Sequence, residues 1–186
     1  LIAGNNTIAI VAPSFAASFP DNYRKIPSAL RKLGFTKVIE TAFGADLIAN
    51  DYMDVINSDS EKTVISSACP AVVSYIQKYF VDLVPYLAKV VSPMIALGRY
   101  LKEIEDVNCK IVFIGPCIAK KHEARDEDVA GVIDAVLTFS ELKEMFELSK
   151  INPDEFEESE FDGPHAMMGK AYPLAGGLLK TTDVND

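Results

Sequence analysis

The 186-residue sequence has no tryptophan, two histidines and three cysteines. The histidines, His122 and His165, are far apart, which removes the paired-histidine zinc sites. Cys69, Cys109 and Cys117 are odd in number and irregularly spaced, so they build no disulfide framework and read as reduced thiols in a cytoplasmic setting. Basic residues are also scarce: 18 Lys and Arg stand against 27 Asp and Glu, a net charge of −9. That balance excludes a sequence-independent nucleic-acid binder, which needs cationic surface against phosphates. No apolar run reaches the roughly 20 residues a membrane span needs, because the longest, Phe80 to Gly98, is broken by Asp82, Lys89 and two prolines. The glycine patterns that cradle dinucleotides or phosphates, and the G-x-S-x-G nucleophile turn, are missing too. The first residue is Leu and no leader pattern precedes the first apolar run, so the chain is expected to be a piece cut from a longer protein.

What is present is a globular composition, 49% apolar and 24% charged, of a size for one domain. Short β-branched runs at Thr7–Pro13, Lys37–Glu40, Thr63–Ser67, Lys110–Gly115 and Ala135–Thr138 predict strands. Helical periodicity marks Pro27–Leu33, Pro70–Val84 and Ser92–Val107, the last two opened by proline, and Thr138-x-x-Glu141 reads as a capping box for a helix to about Leu148. Alternating strands and helices, with apolar rather than alternating strands, predict an α/β fold. The expected sheet is mostly parallel, four- to five-stranded and covered by helices on both faces. Pro153–Gly163 carries six acids and no base and reads as a solvated loop, and residues 150–186 are expected to be loosely attached.

Two thiols could carry chemistry. Cys69, in Ser66-Ser67-Ala68-Cys69-Pro70, and Cys117, in Gly115-Pro116-Cys117-Ile118-Ala119-Lys120-Lys121, each follow a predicted strand and fall where open α/β sheets place ligand crevices. Unpaired N–H groups and the neighbouring lysines would stabilise thiolates suited to a metal cluster. The plain alternative is that each is a small buried hydrophobe. Cys109 precedes its strand and belongs to the opposite sheet edge. Two thiolates cannot close a zinc site or a cubane, which take four ligands. A nucleophile system using His122 and Glu123 is weaker than an exposed charged helical turn, and Ser92 reads as a helix N-cap.

Seven stretches in order resemble the catalytic domain of the iron-only, or [FeFe], hydrogenase large subunit. They are Ala12-Pro13-Ser14, Ala29 to Phe35, Ala45-Asp46-Leu47, Ser67 to Ala71, Ser92-Pro93-Met94, Pro116 to Ala124 and Asp134 to Thr138. The resemblance covers nearly the whole chain and implies one lobe of that domain. It implies a [4Fe–4S] cluster bridged to a diiron unit, with Cys69 and Cys117 as the first two cubane ligands. Lys120 would be a catalytic and cofactor-binding donor to a diiron cyanide, and Ala12, Pro13 and Ser14 would line the same pocket. It also implies ferredoxin-like iron–sulfur domains or another electron donor as partners, and a sensory or regulatory domain in the parent.

The chain departs from the family pattern in ways that bear on activity. The third and fourth cluster cysteines would lie beyond the point matching Gly176-Gly177, so a lone fragment is expected to hold no cluster and to be inactive. Ala68 stands in place of the proton-relaying cysteine and Ala88 in place of a relay serine. Tyr52 and Val55 stand at the relay carboxylates, expected near Asp51 to Asp54, and Gly115 stands where methionine is usual, enlarging the surroundings of the cofactor. A slow or hydrogen-sensing parent follows. The alternative is a non-catalytic relative that acts as an iron–sulfur assembly factor or cluster-binding scaffold, and a bare α/β domain whose cysteines only pack is the third reading. Exposed apolar surface left by the missing part predicts self-association.

Overall fold

Every residue of β1 (Thr7–Val11) is buried, and because successive side chains point to opposite faces, both faces of this strand are covered. The computed structural model describes residues 6–58, 63–105 and 107–181. In it β1 lies between β2 (Lys37–Glu40) and β3 (Lys110–Gly115), and β4 (Ala135–Thr138) lies beyond β3, giving the order β2-β1-β3-β4 with every pairing parallel. Ile10 pairs with Ile39 on one side and Phe113 on the other. The α/β expectation is met, with four strands.

Short α1 (Phe15–Ser18) and α2 (Ile26–Lys32) connect β1 to β2, and α3 (Ala42–Asn57), α4 (Pro70–Tyr79) and α5 (Pro93–Ile104) connect β2 to β3. These two crossovers run in opposite directions, so right-handed connections put their helices on opposite faces. α6 (Ala119–Glu123) leads to β4, α7 (Phe139–Leu148) follows it, and α8 (Gly177–Thr181) ends the described chain. Residues 182–186, on which part of the tail expectation fell, lie outside the described residues.

Two sequence expectations are corrected. Thr63–Ser67 is no sheet strand: it makes one isolated bridge, Ile65 to Leu87, and none of its residues is buried. Its serine hydroxyls bond elsewhere, Ser67 Oγ to the Val90 carbonyl at 2.6 Å, so a β-branched run is drawn out of the ladder by side-chain bonding. The helix from Pro70 stops at Tyr79 and passes into a 3₁₀ turn, Val81–Tyr86. Within residues 150–181 the 159–162 stretch is bonded to the sheet edge and to α2. Asp162 accepts the Val38 N–H at 2.8 Å and donates its own N–H to the Val38 carbonyl at 2.8 Å, which occupies the open edge of β2. Arg31 reaches the same carboxylate at 3.0 Å, and Phe161 packs edge-on against Phe15 with ring centroids 5.2 Å apart. Asp162→Ala leaves the amide of fully buried Val38 without its acceptor, and urea unfolding is expected to show a loss of about 1–3 kcal/mol.

The capping box is present: Thr138 accepts the Glu141 N–H, and the Glu141 carboxylate accepts the Thr138 N–H at 2.7 Å. Lys121 donates to the same carboxylate, and this bond, then those from Thr138, hold Glu141 down from 4.5 to about 2. A depressed folded-state value favours the fold above the unfolded value, and the gain disappears as pH falls through the folded one. Glu141→Gln is therefore expected to cost at most about 1 kcal/mol at pH 7, because the pair is only half-buried and solvent screens it. Urea titrations should show the difference from the parent shrinking between pH 4.5 and 2.

Candidate functional site

The strand order changes direction between β1 and β3, and the carboxyl ends of those two strands form the crevice where such sheets bind ligands. The turn Ala12-Pro13-Ser14 leaves β1, anchored by the Ala12 N–H donating to the Ile114 carbonyl at 2.8 Å. Pro116 and Cys117 leave β3 and lead into α6, which carries Lys120. These residues wall one cavity of about 200 Å³. Thr41, Ala42 and Ala45 from the start of α3 and Pro93 and Met94 from the start of α5 supply a second wall, and Gly169, Tyr172 and Pro173 of the C-terminal segment a third. Ala68 and Phe113 complete the lining.

The C-terminal wall is held by a carboxylate. Asp46 accepts the Gly169 N–H at 2.6 Å and the Met167 N–H at 2.7 Å, and a Cβ on Gly169 would stand 2.0 Å from the Ala42 carbonyl oxygen. Only glycine permits this approach to α3.

Five of the six site residues expected from the sequence meet here: Ala12, Pro13, Ser14, Cys117 and Lys120. Cys69 does not line the cavity. It is exposed at the N-cap of α4, one residue after Ala68, and α4 lies against α6. It follows an extended segment rather than the sheet strand expected. Cys109, fully buried at the start of β3, is at the far end of the sheet. His122 is exposed on α6, in keeping with a charged turn.

Lys120 is largely buried and donates to Glu123 at 2.7 Å, so a fixed cation faces the cavity with its charge partly met. The lining is otherwise mostly apolar, which strengthens any charge interaction inside. Against this, the Thr41 hydroxyl is 5% exposed and has no partner, and the Ser92 hydroxyl at the head of α5 is likewise unpartnered. Buried hydroxyls normally find a partner, so Thr41 offers a cavity ligand a hydrogen bond. Ser92 is the N-cap of α5 by position without capping it by its side chain.

The proton-relay positions implied by the family resemblance also come together, without acids. Tyr52 and Ala88 are buried in one small cluster with Ile48 and Val90, whereas Asp51 and Asp54 are exposed on the other side of α3. Gly115 does not enlarge the site as expected: a Cβ there would stand 2.6 Å from the Phe113 ring, which fills the space.

Sequence reasoning missed Thr41, Met94, Gly169 and Tyr172 as wall residues, and missed α3 altogether. The signal for α3 was present in Ala45, Ile48 and Tyr52, spaced by three and four and all buried. It was masked by Gly44 within its first turn.

Among known proteins, the family described as the iron only hydrogenase large subunit, C-terminal domain, matches residues 5–185. Iron hydrogenase 1 of Clostridium pasteurianum is 30% identical over 94% of this chain and 35% of its own length. Protein NAR1 of Arabidopsis thaliana is 27% identical over 87% of this chain and 43% of its own length. The apo [FeFe]-hydrogenase HydA1 of Chlamydomonas reinhardtii shares the fold with a TM-score of 0.75 at 24% identity, over 95% of this chain and 53% of its own. The chain thus spans between about a third and a half of these relatives.

Proposed function

Because the chain belongs to the iron only hydrogenase large subunit, C-terminal domain family, we propose that it forms one lobe of a domain holding a [4Fe–4S] cluster joined to a diiron unit, in a parent that turns over or senses H₂. The observation that carries the reading is the gathering of Ala12, Pro13, Ser14, Cys117 and Lys120 around one cavity at the β1–β3 switch point. Thiolates suit iron–sulfur clusters. The residues fit part of such a group: Cys69 and Cys117 would hold two cubane corners, and Lys120 and the 12–14 turn would bind the diiron unit. No group of three or more metal-ligating side chains occurs among the described residues. When bound, the group supplies the electrons and the metal site for H₂ chemistry.

The chain's own residues bind and exclude. Lys120 can donate to an anionic ligand of the diiron unit, and Ala42, Ala45, Met94 and Pro173 keep water from it. Ala68 and Ala88 carry no transferable proton. Loss of a positioned proton donor costs about 10²–10⁴-fold in rate, which supports a slow or hydrogen-sensing parent.

The same alanines and the similarity to Protein NAR1 favour a second reading, a non-catalytic iron–sulfur assembly factor. Cytoplasmic location, a ferredoxin-like electron donor and a sensory partner domain belong to the first reading. Among the described residues no helix is long and apolar enough to cross a membrane. Self-association of the isolated chain is proposed through the exposed, clustered Tyr75, Tyr79 and Phe80; a monomer in sedimentation velocity overturns it.

The test is anaerobic reconstitution of the full-length gene product, read by iron content and EPR, followed by H₂/D⁺ exchange after diiron maturation. Exchange, however slow, supports the hydrogenase reading. A cubane without exchange moves the assignment to the assembly factor, and no iron at all leaves only the shared fold.

A further inference from the structure

The segment that delivers Cys69 lies outside the sheet, so its position must be fixed by something other than ladder hydrogen bonds. Its one bridge, Ile65 to Leu87, stops short of the cysteine. Past it, the Ser67 N–H donates to the Tyr52 hydroxyl at 3.2 Å, and the Ala68 N–H donates to Ser66 Oγ at 3.3 Å. Ser66 Oγ is in turn 3.1 Å from the same Tyr52 hydroxyl, and Ser67 Oγ is 3.2 Å from it. Both amides preceding Cys69 are therefore held by side-chain oxygens that meet at one phenol. Backbone pairing resumes when the Cys69 carbonyl accepts the Val73 N–H, the first turn of α4.

Tyr52 is suited to serve as a fixed point. It is 1% exposed, on α3, which also forms a wall of the cavity and packs against α5. Its ring is clamped by Ile48, Ala88 and Val90, so its hydroxyl cannot swing. Tyr172 packs against the same cluster, and burial and the nearby Tyr52 push its phenol up from its ordinary value.

We propose that Tyr52 is a positioning residue for Cys69: its hydroxyl fixes the backbone of residues 66–68 and so sets where the Cys69 thiol stands relative to the cavity. This rests on the reading of Cys69 as a cluster ligand, but the anchoring can be measured without iron. Beside the bond from Ser67 Oγ to the Val90 carbonyl, the Tyr52 phenol is, among the described residues, the one group that contacts both serines of the loop, a device no sheet strand would need. A phenol also holds the loop without placing a buried charge beside an anionic cluster.

The experiment compares the parent chain with Tyr52→Phe, which keeps the ring and removes the hydroxyl, and with Ile48→Val, which loosens the same cluster and leaves the hydroxyl. Amide hydrogen exchange of the apo chain is read at Ser67 and Ala68, where Tyr52→Phe is expected to accelerate exchange about tenfold. Ile48→Val should leave these two amides at the parent rate relative to the rest of the core. In the reconstituted full-length product, Tyr52→Phe is expected to shorten the time to iron loss under chelator several-fold and to change the EPR line shape of the reduced cluster. Unchanged exchange in Tyr52→Phe, or equal acceleration in Ile48→Val, overturns the anchor. Faster exchange with parent-like iron retention and EPR overturns its role toward Cys69. If the parent itself takes up no iron, the ligand reading fails and the ligand part of the proposal fails with it, while the exchange data still decide the anchor.

Discussion

Serine in place of Cys117 is expected to abolish cluster retention in the reconstituted full-length product while leaving the unfolding midpoint of the apo chain almost unchanged. The thiol is only partly buried in the cavity wall, so its removal disturbs little packing. A serine hydroxyl is a poor iron ligand because it is neither soft nor readily deprotonated. Loss of even a supporting hydrogen bond costs about 10–100-fold in metal affinity, and loss of a ligand should exceed that. Cys69→Ser is expected to behave alike. Cys109→Ser should do the reverse, keeping iron and losing stability, because Cys109 is fully buried at the opposite end of β3. Iron content beside urea unfolding for the three variants checks this. Iron retained in both Cys69→Ser and Cys117→Ser would dismiss these thiols as ligands.

Gly44→Ala is the second substitution with a large expected effect. A Cβ at Gly44 would lie 2.1 Å from the Pro93 carbonyl oxygen and 3.1 Å from Leu97 Cβ, so α3 and α5 touch backbone to backbone. Backbone cannot turn aside as a side chain can, and overpacking of this kind costs about 1–3 kcal/mol or more. Gly98→Ala is the control: its Cβ would meet the ends of the Val132 and Ile133 side chains, at 2.7 and 2.8 Å, which can rotate away. Urea unfolding should show the larger loss at Gly44. The same contact holds together the cavity wall to which Thr41, Ala42 and Ala45 of α3 and Pro93 and Met94 of α5 contribute. A Gly44→Ala protein that unfolds like its parent would mean the two helices can separate at little cost.

The two glycines show why part of the site was not legible in advance. Gly44 and Gly169 each look like helix breakers in the sequence, and in the structure both are points of close approach that close the cavity. Small residues leave no hydrophobic period to read, so α3 was missed where its face is made of Ala42, Gly44 and Ala45. The opposite error occurred at Thr63–Ser67, where a β-branched run carried the pattern of a strand and the bonding of a loop. Propensity describes a residue's neighbours in sequence, and both corrections came from partners distant in sequence.

By itself the sequence determined the α/β class, the four strands of the sheet, the capping box of α7 and five residues of the cavity. The class, the strands and the capping box follow from local chemistry, namely β-branched runs, prolines at helix starts and a Thr–Glu pair; Cys117 follows from its place past a strand end, and Ala12, Pro13, Ser14 and Lys120 came only through the family resemblance. Only the tertiary structure decided that Cys69 stands beside the cavity rather than in its wall, that Asp162 seals the edge of β2, and that Asp46 fastens the segment carrying Tyr172. Those arrangements join residues more than a hundred positions apart or depend on side-chain hydroxyls bonding outside the sheet. A one-dimensional pattern encodes burial and turn chemistry, but not which buried polar group will meet which orphaned amide.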